Sequence, residues 1–320
     1  MQSYLKTRPV WVQLMLFLGM AFGIFMVLSL IGVTLLSNIT GISIVDISDP
    51  KKWDSGHPNM IVFIRGMLVV QFLGLFLIPS LLFAYFSDPQ PMRYIGLQQK
   101  GSVLYWVLGI GALLVAIPLV QYIGDLNRQI HFGQGTQQWM QSMEDEAARQ
   151  IKFMLGRNTP TELILNIIFI AAFAGVGEEL FFRGVLQRLF IKVFKSPWTG
   201  IIITAILFSG FHFQFFGFFP RFLLGVLLGA IYWFSGSLWP AIVAHFVYDA
   251  FFIILSYFYP QMLDETETTF LGNQLLLAAV VSAALVGLIV WQLQKHSRVS
   301  YEKVYADDDM QDGQKFTFDE

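Results

Sequence analysis

Glu178, Glu179 and Arg183 lie within Gly175-Val176-Gly177-Glu178-Glu179-Leu180-Phe181-Phe182-Arg183-Gly184, inside an apolar region that runs from Leu163 to Phe194. Ionisable side chains are costly in hydrocarbon, and those that occur there face a protein interior or a wet cavity. Adjacent helical residues point about 100° apart, so the two glutamates do different jobs. Glu179 and Arg183, at i and i+4, share a face and can pair. That leaves Glu178 the less neutralised carboxylate and a candidate general base.

Three further groups belong with it. His212 closes the segment Phe208-Ser209-Gly210-Phe211-His212, and His245 and Asp249 stand at i and i+4. Asp249 can orient the His245 ring, act as a ligand, or contact a transition state itself. A glutamate, two histidines and an aspartate meeting in a membrane cavity suggest water activation. Glu178 with His212 would take the proton from water, and His245 with Asp249 would hold the oxyanion. The same four side chains also make a reasonable zinc site, since histidine and carboxylates are normal ligands. The His-Glu-x-x-His arrangement of soluble zinc proteases is absent. Plainer readings exist. A lone membrane histidine often serves as a packing hydrogen bonder, and the two glutamates with Arg183 could form an ion-pair network that only ties helices together. His57, His131 and His296 fall in loops or the tail and receive no role. Arg188 and Lys192 read as interface anchors, and Arg221 as a snorkelling residue near the outer edge.

The elements that must position these residues are membrane helices. Of the 320 residues 55% are hydrophobic and 13% charged, against about 25% charged in an ordinary soluble domain. The absence of cysteine excludes disulfides, a thiolate nucleophile and a cysteine metal site. Apolar runs of membrane-spanning length predict an all-α polytopic membrane protein, with about eight transmembrane helices around a buried polar site. The expected spans are Trp11–Leu36, Met60–Phe86, Val103–Ile123, a long stretch over 161–194, Thr199–Phe215, Phe218–Phe234, Leu238–Tyr257 and Leu271–Leu293. The first run is too long for a signal peptide and reads as a retained span. Kinks are expected at Pro79 and Pro118. The long stretch is expected as one tilted helix or as a span broken near Gly175 and Gly177. Within the polar segment 124–160, residues 136–155 have amphipathic helical periodicity, which suits a helix on the membrane, one over a cavity mouth, or an ordinary packed loop helix.

The chain therefore divides into an N-terminal part of three spans plus the amphipathic segment (1–159), a core of four spans (160–258), a loop with the last span (259–293) and a polar, mobile tail (294–320). Basic residues at Lys6, Arg8, Arg93, Lys100, Lys192, Lys195, Lys295 and Arg298 fall on one face of this arrangement, which places both termini in the cytoplasm. Lys51 and Lys52 fall on the other face. Entering from the basic face at 1.5 Å per residue, His212 lies roughly 20 Å deep, His245 about 10 Å and Asp249 about 16 Å. They can meet Glu178 in the inner half of the bilayer.

The set resembles the CPBP family of intramembrane proteases, also called the Abi or CAAX-protease-and-bacteriocin-processing family, which includes the CAAX prenyl endopeptidase of eukaryotes. The Glu-Glu-x-x-x-Arg motif stands at Glu178-Glu179-Leu180-Phe181-Phe182-Arg183. Phe-x-x-x-His stands at Phe208–His212, and His-x-x-x-Asn/Asp at His245–Asp249 in its aspartate form. The resemblance covers about residues 160–257. It implies an intramembrane endopeptidase in which Glu178 and His212 activate the attacking water. His245 and Asp249 would stabilise the oxyanion, while Glu179 and Arg183 shape and charge-balance the site. An ionised aspartate stabilises an oxyanion poorly, which directs Asp249 to a role as a neutral acid, through His245, or through a metal. The expected cofactor is none or one divalent metal such as zinc, with Glu178, His212, His245 and Asp249 as candidate ligands. The expected partners are the bilayer and a membrane-embedded or lipid-associated peptide, prenylated or not, with no nucleic acid. The expected location is the bacterial inner membrane. A non-catalytic membrane scaffold, or an immunity or partner-binding protein, is the alternative. A transporter would call for two repeated halves, and no internal repeat is visible.

Overall fold

The computed structural model describes residues 4–43, 59–263 and 274–305. The polar loop with Lys51 and Lys52 and the acidic loop at Asp264, Glu265 and Glu267 lie outside the described residues. All regular structure among the described residues is helical. The main helices are α1 (Val10–Thr40), α2 (Met60–Ser87), α3 (Val103–Arg128), α4 (Gln134–Leu155), α5 (Pro160–Phe194), α6 (Pro197–Gly210), α7 (Phe218–Ser235), α8 (Trp239–Phe258) and α9 (Leu275–His296). Apart from α4 and α6, these elements are long and apolar enough to cross a membrane, the α7 candidate beginning at Phe215, and they make seven candidate spans among the described residues.

The expected eighth span is shorter than its apolar run. α6 has 14 residues, roughly 20 Å of helix against about 30 Å of bilayer hydrocarbon. Gly210 ends it, and the chain turns through Phe213, whose φ of 53° lies in the left-handed region that residues with a Cβ seldom occupy. Phe211, Phe213, Phe215 and Phe216, interleaved with His212 and Gln214, carry the apolar reading past the helix end and hide this turn. His212 is therefore held in the turn beyond α6, not on a helix.

α5 runs for 35 residues without a break at either glycine. Pro160 opens it, and Thr159 caps it by accepting from the Glu162 N–H at 3.2 Å. Two π-helical stretches interrupt its α ladder, Ile167–Ala172 and Glu179–Gln187. Such wider turns are uncommon and gather at functional sites, and the second begins on Glu179. Irregularities also mark both expected proline kinks. A π stretch, Phe72–Leu77, precedes Pro79, and the ladder of α3 breaks at Ala116 before Pro118.

α5 lies directly against α8. A Cβ on Gly175 would stand 3.1 Å from both the Ile242 carbonyl oxygen and the Phe246 nitrogen, so only glycine allows this approach of two backbones. α6 and α7 form a tight hairpin in which a Cβ on Gly225 would meet the Ala205 Cβ at 3.0 Å. α4 is packed on its neighbours, one of the readings that its periodicity allowed. Met140 and Met154 are buried, the Trp139 ring lies 5.0 Å from that of Phe215, and Glu144 accepts from the Phe216 N–H at 3.0 Å. It thus sits over the turn that carries His212. On the same side, Arg65 of α2 pairs with Glu162 and donates to Asn166 at 3.0 Å.

One expectation needs correction. The stretch after Lys295 is not a mobile tail as far as Tyr305. Val299, Tyr301 and Val304 pack on the core, and Tyr305 is buried, its hydroxyl donating to the Arg188 carbonyl at 3.0 Å.

The Gly175 approach is testable. Gly175→Val should cost about 1–3 kcal/mol by forcing the helices apart, read as a lowered melting temperature in detergent. Gly19→Val, where no atom lies within 4 Å of the new Cβ, should leave it unchanged.

Candidate active site

The middle of α5 supplies Glu178, Glu179 and Arg183, and α8 supplies His245 and Asp249 one turn apart. Glu179 and Arg183 are fully buried and joined, Arg183 Nη1 donating to Glu179 Oε1 at 2.7 Å. The pairing expected from their spacing is present. The same Oε1 accepts from His245 Nδ1 at 2.9 Å, a link between helices that sequence spacing does not reveal. Arg183 also donates from Nη2 to the Gly225 carbonyl of α7 at 3.1 Å, and its guanidinium lies 4.5 Å from the Phe208 ring centroid. One turn further along, Gln187 repeats the device, donating to the Gly229 carbonyl at 3.0 Å. Arg183 and Gln187 thereby fasten α5 to α7.

His245 presents its other face to Asp249, with Nε2 and Oδ2 3.5 Å apart. The histidine is nearly buried while Asp249 keeps 28% of its side chain exposed, so the site is sealed on the Glu179 side and open on the Asp249 side. The expected His245–Asp249 pairing holds, but the hydrogen bond that orients the ring comes from Glu179.

Glu178 differs from its neighbour. It makes no hydrogen bond or ion pair with any described residue, whereas Glu179 is bonded through Oε1; the Oε2 of each is buried without a partner. Its charged surroundings are His245, Asp249, Glu179 and Arg183. A buried carboxylate oxygen without a donor is costly.

His212 reaches the cluster from the turn after α6. Its Nδ1 lies 2.8 Å from the Phe208 carbonyl oxygen. A carbonyl only accepts, so Nδ1 carries the proton, and in the neutral ring Nε2 is left with a free lone pair. Phe208 sits between the histidines, edge-on to His212 at 5.1 Å and to His245 at 6.0 Å. Arg221 is a residue that sequence reasoning missed. Rather than snorkelling to an edge, it bonds the side chain and carbonyl of Gln214 and lies within electrostatic reach of Glu178, Glu144 and Tyr248. Its place before the long apolar run of α7 was the available signal, and an anchor explained that equally well.

Both nitrogens of His245 face carboxylates, whereas His212, with Nδ1 on a backbone carbonyl, keeps Nε2 free. Among the described residues no three His, Asp or Glu side chains are grouped to hold an ion.

Residues 160–251, which carry all of these groups, match the family model described as type II CAAX prenyl endopeptidase Rce1-like. Over these residues the chain is similar to that family. The match ends just beyond Asp249 and leaves α1 to α4 and α9 outside it. A curated relative, an uncharacterized protein YpbD of Bacillus subtilis (strain 168), is 31% identical over 93 residues, 28% of this chain and 44% of its own length. The chain thus covers less than half of that relative. No solved structure matches the chain. Seven helices long and apolar enough to cross a membrane among the described residues, with similarity to a membrane-protease family over residues 160–251, mark this as an integral membrane protein.

Removing one member of a buried ion pair strands the other charge, at about 3–5 kcal/mol. Arg183→Met should therefore destabilise the protein by that order. Replacing both partners, with Glu179→Leu beside Arg183→Met, should cost less than the single change. Melting temperatures of the purified variants in one detergent check the order.

Proposed function

We propose that the protein is an intramembrane endopeptidase that hydrolyses a peptide bond with a water activated by Glu178 and His212. The observation that carries the reading is the contrast between the paired glutamates. Glu179 is fixed by Arg183 and His245, whereas Glu178 is half-buried, unbonded and beside the open edge of the cluster.

In the proposed step, a water bound to Glu178 attacks the scissile carbonyl carbon. Its proton passes to the Glu178 carboxylate, assisted by the free Nε2 of His212, as the new C–O bond forms. The carbonyl oxygen becomes an oxyanion that takes the Nε2–H of a doubly protonated His245 in place of Asp249, which lies 3.5 Å away, while Glu179 keeps the ring in orientation through Nδ1. Arg221 adds positive charge on the α7 side. Collapse of the tetrahedral intermediate breaks the C–N bond, and the leaving amine takes the proton from Glu178. Asp249 faces His245 Nε2 and acts through it, which removes the need for an ionised aspartate at the oxyanion. No step requires a metal ligand.

The substrate class we propose is a peptide that reaches the site from the membrane, a prenylated chain end being the form suggested by the family description. Basic side chains at the face holding both termini support a cytoplasmic placement of those termini in a bacterial inner membrane.

The test uses the full chain reconstituted in liposomes with farnesylated and unmodified forms of one peptide. Glu178→Gln should lower the cleavage rate by about 10²–10⁴-fold with the melting temperature held. Normal cleavage by that variant would remove Glu178 from the mechanism. Treatment with a chelator should leave the wild-type rate unchanged, and loss that zinc restores would replace this mechanism with a metal-dependent one. A protein that cleaves neither peptide, and whose Glu178→Gln form loses only stability, would be a scaffold.

A further inference from the structure

A cavity of about 560 Å³ opens at the end of the bundle where α9 ends and the loop before α3 lies. It touches none of the residues of the candidate active site. Arg188, which lines it, stands ten residues along α5 from Glu178, roughly 15 Å away along the helix. Four side chains of basic type contribute to its wall, Arg93, Arg188, His296 and Arg298, and no aspartate or glutamate among the described residues does.

Arg188 is the fixed member. Its guanidinium lies 4.7 Å from the Tyr94 ring centroid and 5.8 Å from that of Tyr305. Its buried Nε has no hydrogen-bond partner, and no described carboxylate pairs with it. Arg93 and Arg298 are exposed at the rim, and neither forms an ion pair with a described residue. A guanidinium kept inside a protein without a counter-charge is costly, and two more cations at the mouth add to the deficit. Bidentate N–H donors of this kind suit phosphate oxygens. The wall also has an apolar part, with Trp233, Phe234 and Leu104 among its residues. A ligand with one anionic end and one hydrocarbon end fits both.

We propose that this cavity binds a phosphate-bearing anionic headgroup at the membrane surface, with Arg188 as its inner contact and Arg93 and Arg298 as its rim. Basic pockets between membrane helices at such a surface hold anionic lipid headgroups by the same charge attraction. The site is separate from the candidate peptidase centre and stands whether or not that centre cleaves peptides.

The experiment is native mass spectrometry of the purified full chain in detergent, titrated with phosphatidylglycerol and phosphatidylcholine in equal amounts. The wild type should retain phosphatidylglycerol in preference. Arg93→Gln with Arg298→Gln, at exposed positions that leave the fold intact, should reduce that preference by about fivefold per charge. Arg188→Gln should reduce it at least as much. Inorganic phosphate is added in a parallel arm. Displacement of the lipid at millimolar phosphate would show that the site takes the free anion as well, and persistence would show that the headgroup and its chains are held together. Equal retention of the two lipids, or a preference unchanged in the rim variant, overturns the proposal.

Discussion

The carboxylate of Glu179 joins two membrane helices at a single oxygen, which receives the guanidinium of Arg183 from its own helix and the imidazole of His245 from α8. Both carboxylate and guanidinium are out of reach of solvent, where an unpaired charge is least tolerable and a paired one holds its geometry most firmly. The rest of the centre depends on this bond. It fixes the His245 ring, and through the second donor of Arg183 it brings the Gly225 carbonyl of α7 into the same network. Gly175 allows α5 and α8 close enough for the bond to form. Glu178, one position earlier, receives none of these donors.

The α6–α7 hairpin contributes something a full span would not. A helix that stops after 14 residues ends beside the polar cluster, so a backbone carbonyl of its last turn becomes available to His212. Irregular backbone at membrane depth is tolerated where protein or a cavity surrounds it. The Phe208 carbonyl uses that position to fix the His212 tautomer, and Ser209 donates to the Phe218 carbonyl at 2.6 Å across the turn. α4 covers this turn from the loop side through Glu144 and Trp139.

Much of this was legible in the sequence because the relevant signals are local. Apolar runs announce helices, and charged residues inside such runs announce a site. The i, i+4 spacing of Glu179 with Arg183 and of His245 with Asp249 predicts pairings that are both present. What the sequence hid was non-local or subtractive. Nothing in the spacing says that Glu179, 66 residues before His245, would orient its ring in place of Asp249. Phenylalanines on both sides of His212 and Gln214 carry the apolar reading past α6, so hydropathy extends it to span length. Arg221 and Arg188 each sit near an expected membrane boundary, where snorkelling accounts for a cation without a site. The packed stretch up to Tyr305 is polar enough to read as tail, yet its tyrosines close the basic cavity.

The π-helical stretch from Glu179 to Gln187 gives α5 a property that its composition does not show. Each wide turn holds one residue more than an α turn would, so the helix carries an extra step of phase between Glu178 and Arg188. Loss of one residue from that stretch would let it relax to α geometry and rotate everything beyond it by about 100°. Glu178 would keep its bearing toward α8, while Gln187 would turn from the Gly229 carbonyl and Arg188 from its cavity. The two polar centres of the molecule are thus set in register by the surplus residue between them, and the length of this segment is as constrained as its chemistry.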